Sequence, residues 1–427
     1  MPTMKPFAKF LVMSALAVVI LAAQGFAAPS TVPAPREGKD WMARHNSFND
    51  RVKQGNVDMI LIGDSITHGW EGAGKEVWEQ YYAPRNAVNL GIGGDRTEHV
   101  LWRLDNGNID GINPKVAVLM IGTNNHRDNT AEEIAAGVEA IVAKLRSRLP
   151  GTRVLLLAIF PRTDVPEEFR AKLREATALF SKLDSDPMVE FVDIGGAFLN
   201  EKGELTKDIM PDLLHLSGEG YKRWAEAIEP FVGKMMAEAD GWKALFNGRD
   251  LDGWEQVGGE KKTWSVENGV LFTDGEGGGW LSTMGEYGDF ELSLEFKVPA
   301  GGNSGVFIRA PREGNPAFEG SEIQVLDDYA DEYKALKPWQ YCGSVYSTIA
   351  PSERATKPAG EWEKMNIRVQ GQKIQVTLNG KQIINGDLSE HMDKVKDHPG
   401  LKRLGGFIGL QNHSTCCDFR NIVIKPL

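Results

Sequence analysis

Between about residues 55 and 236, short and nearly unbroken apolar runs alternate with longer amphipathic stretches. The runs are residues 57–62, 87–90, 116–121 and 154–158. Continuous apolar runs of that length suit strands covered on both faces of a parallel sheet. Residues 131–149 and 167–183 predict helices between them, and a last helix is expected from Gly218 to about Met236. A repeated βαβ unit predicts an α/β domain with a doubly wound parallel sheet, whose ligands bind beyond the carboxyl ends of the strands.

After Asp240-Gly241 the period falls to two. Phe290, Leu292, Leu294, Phe296 and Val298 alternate with Glu291, Ser293, Glu295 and Lys297. Ile374, Val376 and Leu378 alternate with Gln375 and Thr377, and Asn379-Gly380 then predicts a type I′ hairpin turn. Many short strands joined by glycine-rich turns predict an all-β sandwich.

Composition changes this picture little. A chain of 427 residues is long enough for two ordinary domains, and 41% hydrophobic with 25% charged residues fits a globular protein. The net charge of −11 excludes a nucleic-acid partner, which calls for clustered Lys and Arg. Lys5 and Lys9 precede an apolar run over residues 10–23, and Gly25-Phe26-Ala27 offers small residues for cleavage. That pattern predicts a secretory signal peptide over residues 1–27 and an exported protein, periplasmic or secreted; an uncleaved N-terminal anchor is the alternative. No Cys lies near the cleavage position, so no lipid anchor is expected. Residues 28–50 are expected to form a linker and N-terminal extension, with the Pro-rich stretch 29–35 solvated. The two domains are expected over 51–238 and 241–427. Cys342, Cys416 and Cys417 show no C-x-x-C spacing. In an exported protein Cys342 could pair with one of the other two, a choice that sequence leaves open.

The first predicted strand runs into Gly63-Asp64-Ser65, which sets a hydroxyl at a strand end and near a helix N-terminus. By itself a serine in such a turn is more often an N-cap than a nucleophile. The second strand ends in Asn89-Leu90-Gly91-Ile92-Gly93-Gly94-Asp95, and the third in Gly122-Thr123-Asn124-Asn125. Asp212-Leu213-Leu214-His215 precedes the last helix. A serine hydroxyl is a poor nucleophile until a base takes its proton. His215 would be that base, with Asp212 fixing its tautomer. The N–H groups of Ser65 and Gly94, with the Asn124 amide, would hold the oxyanion. His68, His99 and His126 lack metal-ligand spacing and are expected to be rim or structural residues.

Four blocks in this order resemble the SGNH (GDSL-like) hydrolase family, over about residues 55–236. The stretch NLGIGGDRTEHVLWRL (89–104), with GTNNH (122–126), is similar to the catalytic subunits of platelet-activating factor acetylhydrolase. The resemblance implies a flavodoxin-like fold, serine esterase activity on a small acyl group such as acetyl, and no cofactor. It also implies Ser65, Asp212 and His215 as the catalytic set, with Gly94 (Gly93 being the second choice) and Asn124 in the oxyanion hole.

Residues 241–427 resemble the 3-keto-disaccharide hydrolase family, a concanavalin-like sandwich, through LFNG (245–248), GNSGVFIR (302–309), EIQVLD (322–327) and GLQNH (409–413). If Ile323 and Val325 face the core, Glu322 and Gln324 share the other face. With Asn303, Arg309 and His413 they make a polar cluster suited to a sugar. Cleavage beside a C3 ketone needs an electrophile, and the sequence leaves Arg309 or a divalent metal open for that role. The expected function is therefore an esterase acting on an acylated carbohydrate, joined to a domain that cleaves 3-keto-glycosides or binds sugar. A lipid or lysophospholipid acylhydrolase with a non-catalytic sugar-binding module is the alternative.

Overall fold

The computed structural model describes residues 29–427, so the leader expected over residues 1–27 lies outside them. Helix α1 (Lys39–Val52) leads into β1 (Met59–Gly63), α2 (Ser65–His68), α3 (Lys75–Tyr81), β2 (Ala87–Gly91) and α4 (Thr97–Asp105). Then come β3 (Val116–Met120), α5 (Ala131–Arg148), β4 (Arg153–Leu157), α6 (Glu167–Phe180), β5 (Val189–Val192) and α7 (Gly218–Ala239). The strands pair in parallel in the order β2-β1-β3-β4-β5. Side chains of β1 divide by parity between two cores, as a strand covered on both faces requires. Ile60 and Ile62 pack with Leu119, Val138 and Ile141 on the α5 side, while Met59 and Leu61 pack with Val118, Trp224 and Ile228 on the α7 side. Thr130 opens α5 with a reciprocal capping box, its hydroxyl accepting from Glu133 N–H at 3.2 Å and its N–H donating to Glu133 Oε2 at 3.1 Å.

Two stretches differ from expectation. β5 is half-buried at the sheet edge, so its Val-Glu-Phe-Val sequence has no continuous apolar run to betray it. The segment expected as a linker and extension is built into the domain. α1 buries Trp41, His45, Phe48 and Val52, a helical stripe of i, i+4, i+7, i+11 spacing. Ahead of it, Ser30 Oγ donates to Glu133 O at 2.6 Å, Thr97 Oγ1 donates to Ser30 O at 2.9 Å, and Ala34 N–H donates to Glu98 O at 3.1 Å. Such a strap is held by single polar bonds, which leave no periodicity in sequence.

α7 ends at Ala239 and the sandwich begins with β6 (Lys243–Ala244). It continues through β7 (Trp254–Val257), β8 (Trp264–Glu267), β9 (Val270–Thr273), β10 (Trp280–Tyr287), β11 (Phe290–Lys297), β12 (Asn303–Ala310) and β13 (Ser321–Leu326). β14 (Glu363–Gln370), β15 (Lys373–Leu378), β16 (Lys381–Asp387), β17 (Gly406–Gln411) and β18 (Cys417–Pro426) complete it. One sheet runs β13-β12-β17-β10-β7 and the other β16-β15-β14-β11-β18-β9-β8, with β6 added to β18. β11 alternates strictly between buried and half-buried positions, and its Leu292, Leu294 and Phe296 meet Val306 and Ile323 in one core. Asn379 and Gly380 join β15 to β16 with φ of 51° and 83°, the two positive values a type I′ turn needs. The contemplated disulfide is not formed: Cys342 and Cys417 are buried and free, and Cys416 is exposed.

Candidate active site

β1 ends at Gly63 and the chain turns at once into α2. Asp64 caps that turn, its Oδ1 accepting from Ile66 N–H at 3.0 Å, and Ser65 emerges half-buried at the carboxyl edge of the sheet. Absent side chains let the turn sit this close to its neighbours. A Cβ on Gly63 would lie 2.4 Å from Met120 O, and one on Gly91 would lie 2.4 Å from His68 N. The Asp64 carboxyl is fully buried, and burial first, then the nearby Asp95, pushes it up to about 7.

The loop before α7 builds the other half. Asp212 Oδ1 accepts from the N–H groups of Leu214 at 3.0 Å and His215 at 2.7 Å. Asp212 Oδ2 meets His215 Nδ1 at 2.6 Å, and His215 Nε2 meets Ser65 Oγ at 2.8 Å. With Nδ1–H donating to the carboxylate, Nε2 is free to accept the serine proton. Leu213 holds φ at 66°, a left-handed value costing about 1–3 kcal/mol. Thr163 N–H, donating to Leu213 O at 3.1 Å, fixes it there. Partial burial works to raise the Asp212 carboxyl, but the His215 ring and the two backbone N–H groups outweigh it and hold the carboxyl at about 2. The His215 and Asp212 side chains are 44% and 56% exposed, so the site is open to solvent. Two larger cavities, about 660 and 740 Å³, are lined by no triad residue.

The glycine loop after β2 lies over Ser65: a Cβ on Gly93 would sit 3.8 Å from that of Ser65. Gly93 N–H is occupied by His68 Nδ1 at 3.3 Å, whereas Gly94 N–H meets no protein acceptor among the described residues. Asn124 Nδ2 donates to Asp95 O at 2.9 Å, which ties the third strand's loop to the glycine loop. Ser65 thus lies beside Gly93, and Asn124 is bonded to the far end of the same loop. Asp95 roots the loop below, accepting from Trp41 Nε1 at 2.7 Å and from Arg103 Nε at 2.9 Å. His68, His99 and His126 serve the scaffold. His99 accepts from Arg96 N–H at 2.9 Å, and burial, then the arginines around it, pushes its imidazole down to about 3. Sequence reasoning missed Arg36, whose Nη1 donates to Gly93 O at 2.6 Å. No motif marks it, since it sits beside the Pro-rich stretch.

In the sandwich, Ile323 and Val325 enter the core while Glu322 and Gln324 take the other face. That face is covered: Glu322 is 4% and Gln324 5% exposed. They line a cavity of about 320 Å³ with Asn303, Tyr346, Gln411 and, at its exposed rim, His413. Gln324 Nε2 donates to Asn303 Oδ1 at 3.1 Å. Burial pushes the Glu322 carboxyl up to about 8, against a hydrogen bond from Gln411. Arg309 does not join this cluster. The pairing of β12 with β17 shifts register between Phe307 and Ala310, and Arg309 takes φ of 51° there. The irregularity turns its guanidinium to Gly288 O, Gly371 O, Arg403 O and Asp289 instead. Nor do three His, Cys, Asp or Glu side chains converge as a divalent metal would require, anywhere among the described residues.

Residues 61–223 match the GDSL-like lipase/acylhydrolase family, and residues 241–425 match the 3-keto-alpha-glucoside-1,2-lyase-like domain. Platelet-activating factor acetylhydrolase IB subunit alpha2 of Rattus norvegicus is 37% identical over 220 residues, which is 50% of this chain and 95% of that protein. Subunit alpha1 of Homo sapiens is 35% identical over 218 residues, 50% of this chain and 93% of that protein. A solved GDSL-like lipase of Bacteroides thetaiotaomicron VPI-5482 is 17% identical, covering 45% of this chain and 97% of that one at a TM-score of 0.38.

Proposed function

This chain belongs to the GDSL-like lipase/acylhydrolase family and acts on ester bonds through residues 61–223, and on that premise we propose an exported serine esterase that removes small acyl groups, acetyl foremost, from a carbohydrate. The continuous Ser65–His215–Asp212 contact, 2.8 and 2.6 Å, carries the reading. His215 Nε2 takes the hydroxyl proton as Ser65 Oγ attacks the acyl carbon. The carbonyl oxygen becomes an oxyanion facing the N–H groups of Ser65 and Gly94 and the Asn124 amide. Collapse breaks the bond to the alcohol oxygen, which leaves with the proton from His215. Water, deprotonated by the same imidazole, then cleaves the acyl-enzyme, and the proton returns to Ser65. Asp212, ionised at any working pH, stabilises the imidazolium in both halves. The triad is open to solvent and none of its residues lines a larger cavity, which favours a short acyl group on a bulky body over a long chain needing an apolar channel. Acetate release from acetylated sugars and from p-nitrophenyl acetate is the test. Ser65→Ala is expected to abolish turnover, and equal rates in the two proteins would overturn the mechanism.

A second activity has its own support in Glu322, a buried carboxyl still carrying a proton near neutral pH. A C3 ketone acidifies the C2 proton of a 3-keto-glycoside. His413 is the base within this pocket to take that proton, and Glu322 the acid to protonate the departing glycosidic oxygen as the C1–C2 double bond forms. With Arg309 turned away, the side-chain amide of Asn303 in the same pocket is the donor left to polarise the ketone oxygen as the C2 proton departs. Release of the free aglycone from a 3-keto-glucoside by the wild type, lost in Glu322→Gln, is the expected result.

A further inference from the structure

The strap ahead of α1 ends on the glycine loop, and the contact it makes there falls on one particular peptide. Arg36 Nη1 donates to Gly93 O at 2.6 Å, and the same nitrogen lies 3.5 Å from Asp95 Oδ1, a carboxylate with no exposed surface. A trans peptide sends its C=O and its following N–H in opposite directions. With the Gly93 oxygen drawn out to the guanidinium, the Gly94 N–H must leave the loop on the other side. Two observations locate those sides. A Cβ on Gly94 would meet the Arg36 guanidinium at 3.1–3.4 Å, and one on Gly93 would approach Ser65 and His68, both at 3.8 Å. Arg36 therefore sits behind the loop and Ser65 in front of it.

Glycine makes this clamp necessary. Gly94 holds φ at 78°, which glycine adopts without strain but also leaves without strain. A loop of adjacent glycines has little of its own to keep the Gly93–Gly94 peptide from turning over, and turning it over would aim a carbonyl oxygen at the developing oxyanion. We propose that Arg36 is a positioning residue of the esterase, holding the Gly93–Gly94 peptide with its N–H toward Ser65, so that the N-terminal strap is part of the catalytic apparatus. This rests on the serine esterase reading above. Arg36 touches no reacting atom in this role. Its anchors are Asp95, itself fixed by Trp41 and Arg103, and the bonds of Ser30 and Ala34 that hold the strap against α4 and α5.

The test compares Arg36→Ala and Arg36→Lys with wild type on p-nitrophenyl acetate, with Ser65→Ala alongside and thermal melting recorded for each. Loss of an oxyanion donor outright costs about 10²–10³ in turnover. Loss of its orientation alone should cost Arg36→Ala about 10- to 100-fold in kcat, with KM within twofold. Arg36→Lys keeps one charged donor and should recover most of that loss. Arg36→Ala turning over within twofold of wild type would overturn the proposal. So would a rise in KM with kcat unchanged, which would make Arg36 a substrate contact. If Arg36→Ala melts early, the folded Lys variant decides: recovered kcat supports the clamp, and a loss as deep as that of Ala overturns it. Activity surviving in Ser65→Ala would sink the esterase reading itself, a result distinct from each of these.

Discussion

Replacing Glu322 by Gln changes one oxygen for an amide nitrogen and removes a titration from the sandwich interior. The carboxyl lies in a cavity beside Gln411, is 4% exposed, and is moved by burial from the ordinary 4.5 to about 8. Its proton is held more tightly in the folded protein than in the unfolded chain. The stability it allows is thus fully present below about pH 4.5 and is lost as pH rises toward 8, where the folded protein must take on a buried charge. A gap of about 3.5 pH units at about 1.4 kcal/mol each sets a ceiling of about 5 kcal/mol, and relaxation around the cavity should leave about 2–4 kcal/mol. Gln cannot ionise and still accepts from Gln411. Urea unfolding of the sandwich should therefore give wild type and Glu322→Gln similar stability at pH 4.5, a margin for the variant that grows through pH 6 and 7, and a plateau above about pH 8. A margin independent of pH between 4.5 and 9 would refute the reasoning, and with it the assignment of Glu322 as an acid at neutral pH. Esterase turnover, read in the same samples, should not move.

Two further perturbations probe the first domain. Asp212→Asn keeps an acceptor for the Leu214 and His215 N–H groups but offers Nδ1 no carboxylate. In a buried triad that change costs about 10⁴ in turnover; with Asp212 56% exposed, water shares the task, so a loss of about 10²–10³ in kcat is expected. A loss below tenfold would mean that Asp212 does not orient the base. Arg103→Ala strands Asp95, since both side chains are at most 1% exposed and 2.9 Å apart. Stability should fall by about 3–5 kcal/mol in urea unfolding, and a loss under 1 kcal/mol would mean that Trp41 and Arg36 suffice to hold that carboxylate.

Much of this was visible in the chain. Apolar runs gave β1 to β4 because nearly every position of those strands is buried, and strict alternation gave β11 because one of its faces is core. Ser65, Asn124, Asp212 and His215 could be named because each occupies a strand end or a loop beside one. The losses share a physical cause. β5 sits at an edge where mixed residues serve as well as apolar ones. Alternation placed Glu322 and Gln324 on the face away from the core but could not show that this face is covered, since no pattern in the chain ties a covering segment to it. Arg309 was misplaced because a register shift changes which face a residue meets, and no residue type announces one. Arg36 went unseen for the simplest reason: its partners, a backbone oxygen 57 positions away and the carboxylate of Asp95, leave no pattern around it in the chain.

α7 joins the two halves of the molecule directly. Ser217, two residues beyond His215, caps its first turn, and 22 residues later it delivers the chain to β6, which pairs with β18 in the larger sheet of the sandwich. At 1.5 Å per residue that is a strut of about 33 Å. It is braced by Lys234 Nζ on Asn247 O at 3.2 Å, and beside it Arg249 meets Asp184 at 2.9 Å. A swinging tether would let a binding module sample many attitudes and raise local concentration only on average. A helix tied to both halves does the opposite, since it narrows the attitudes the sandwich can take against the triad. On the reading proposed above, an acylated carbohydrate that met both sites would have to match that arrangement in shape as well as in chemistry.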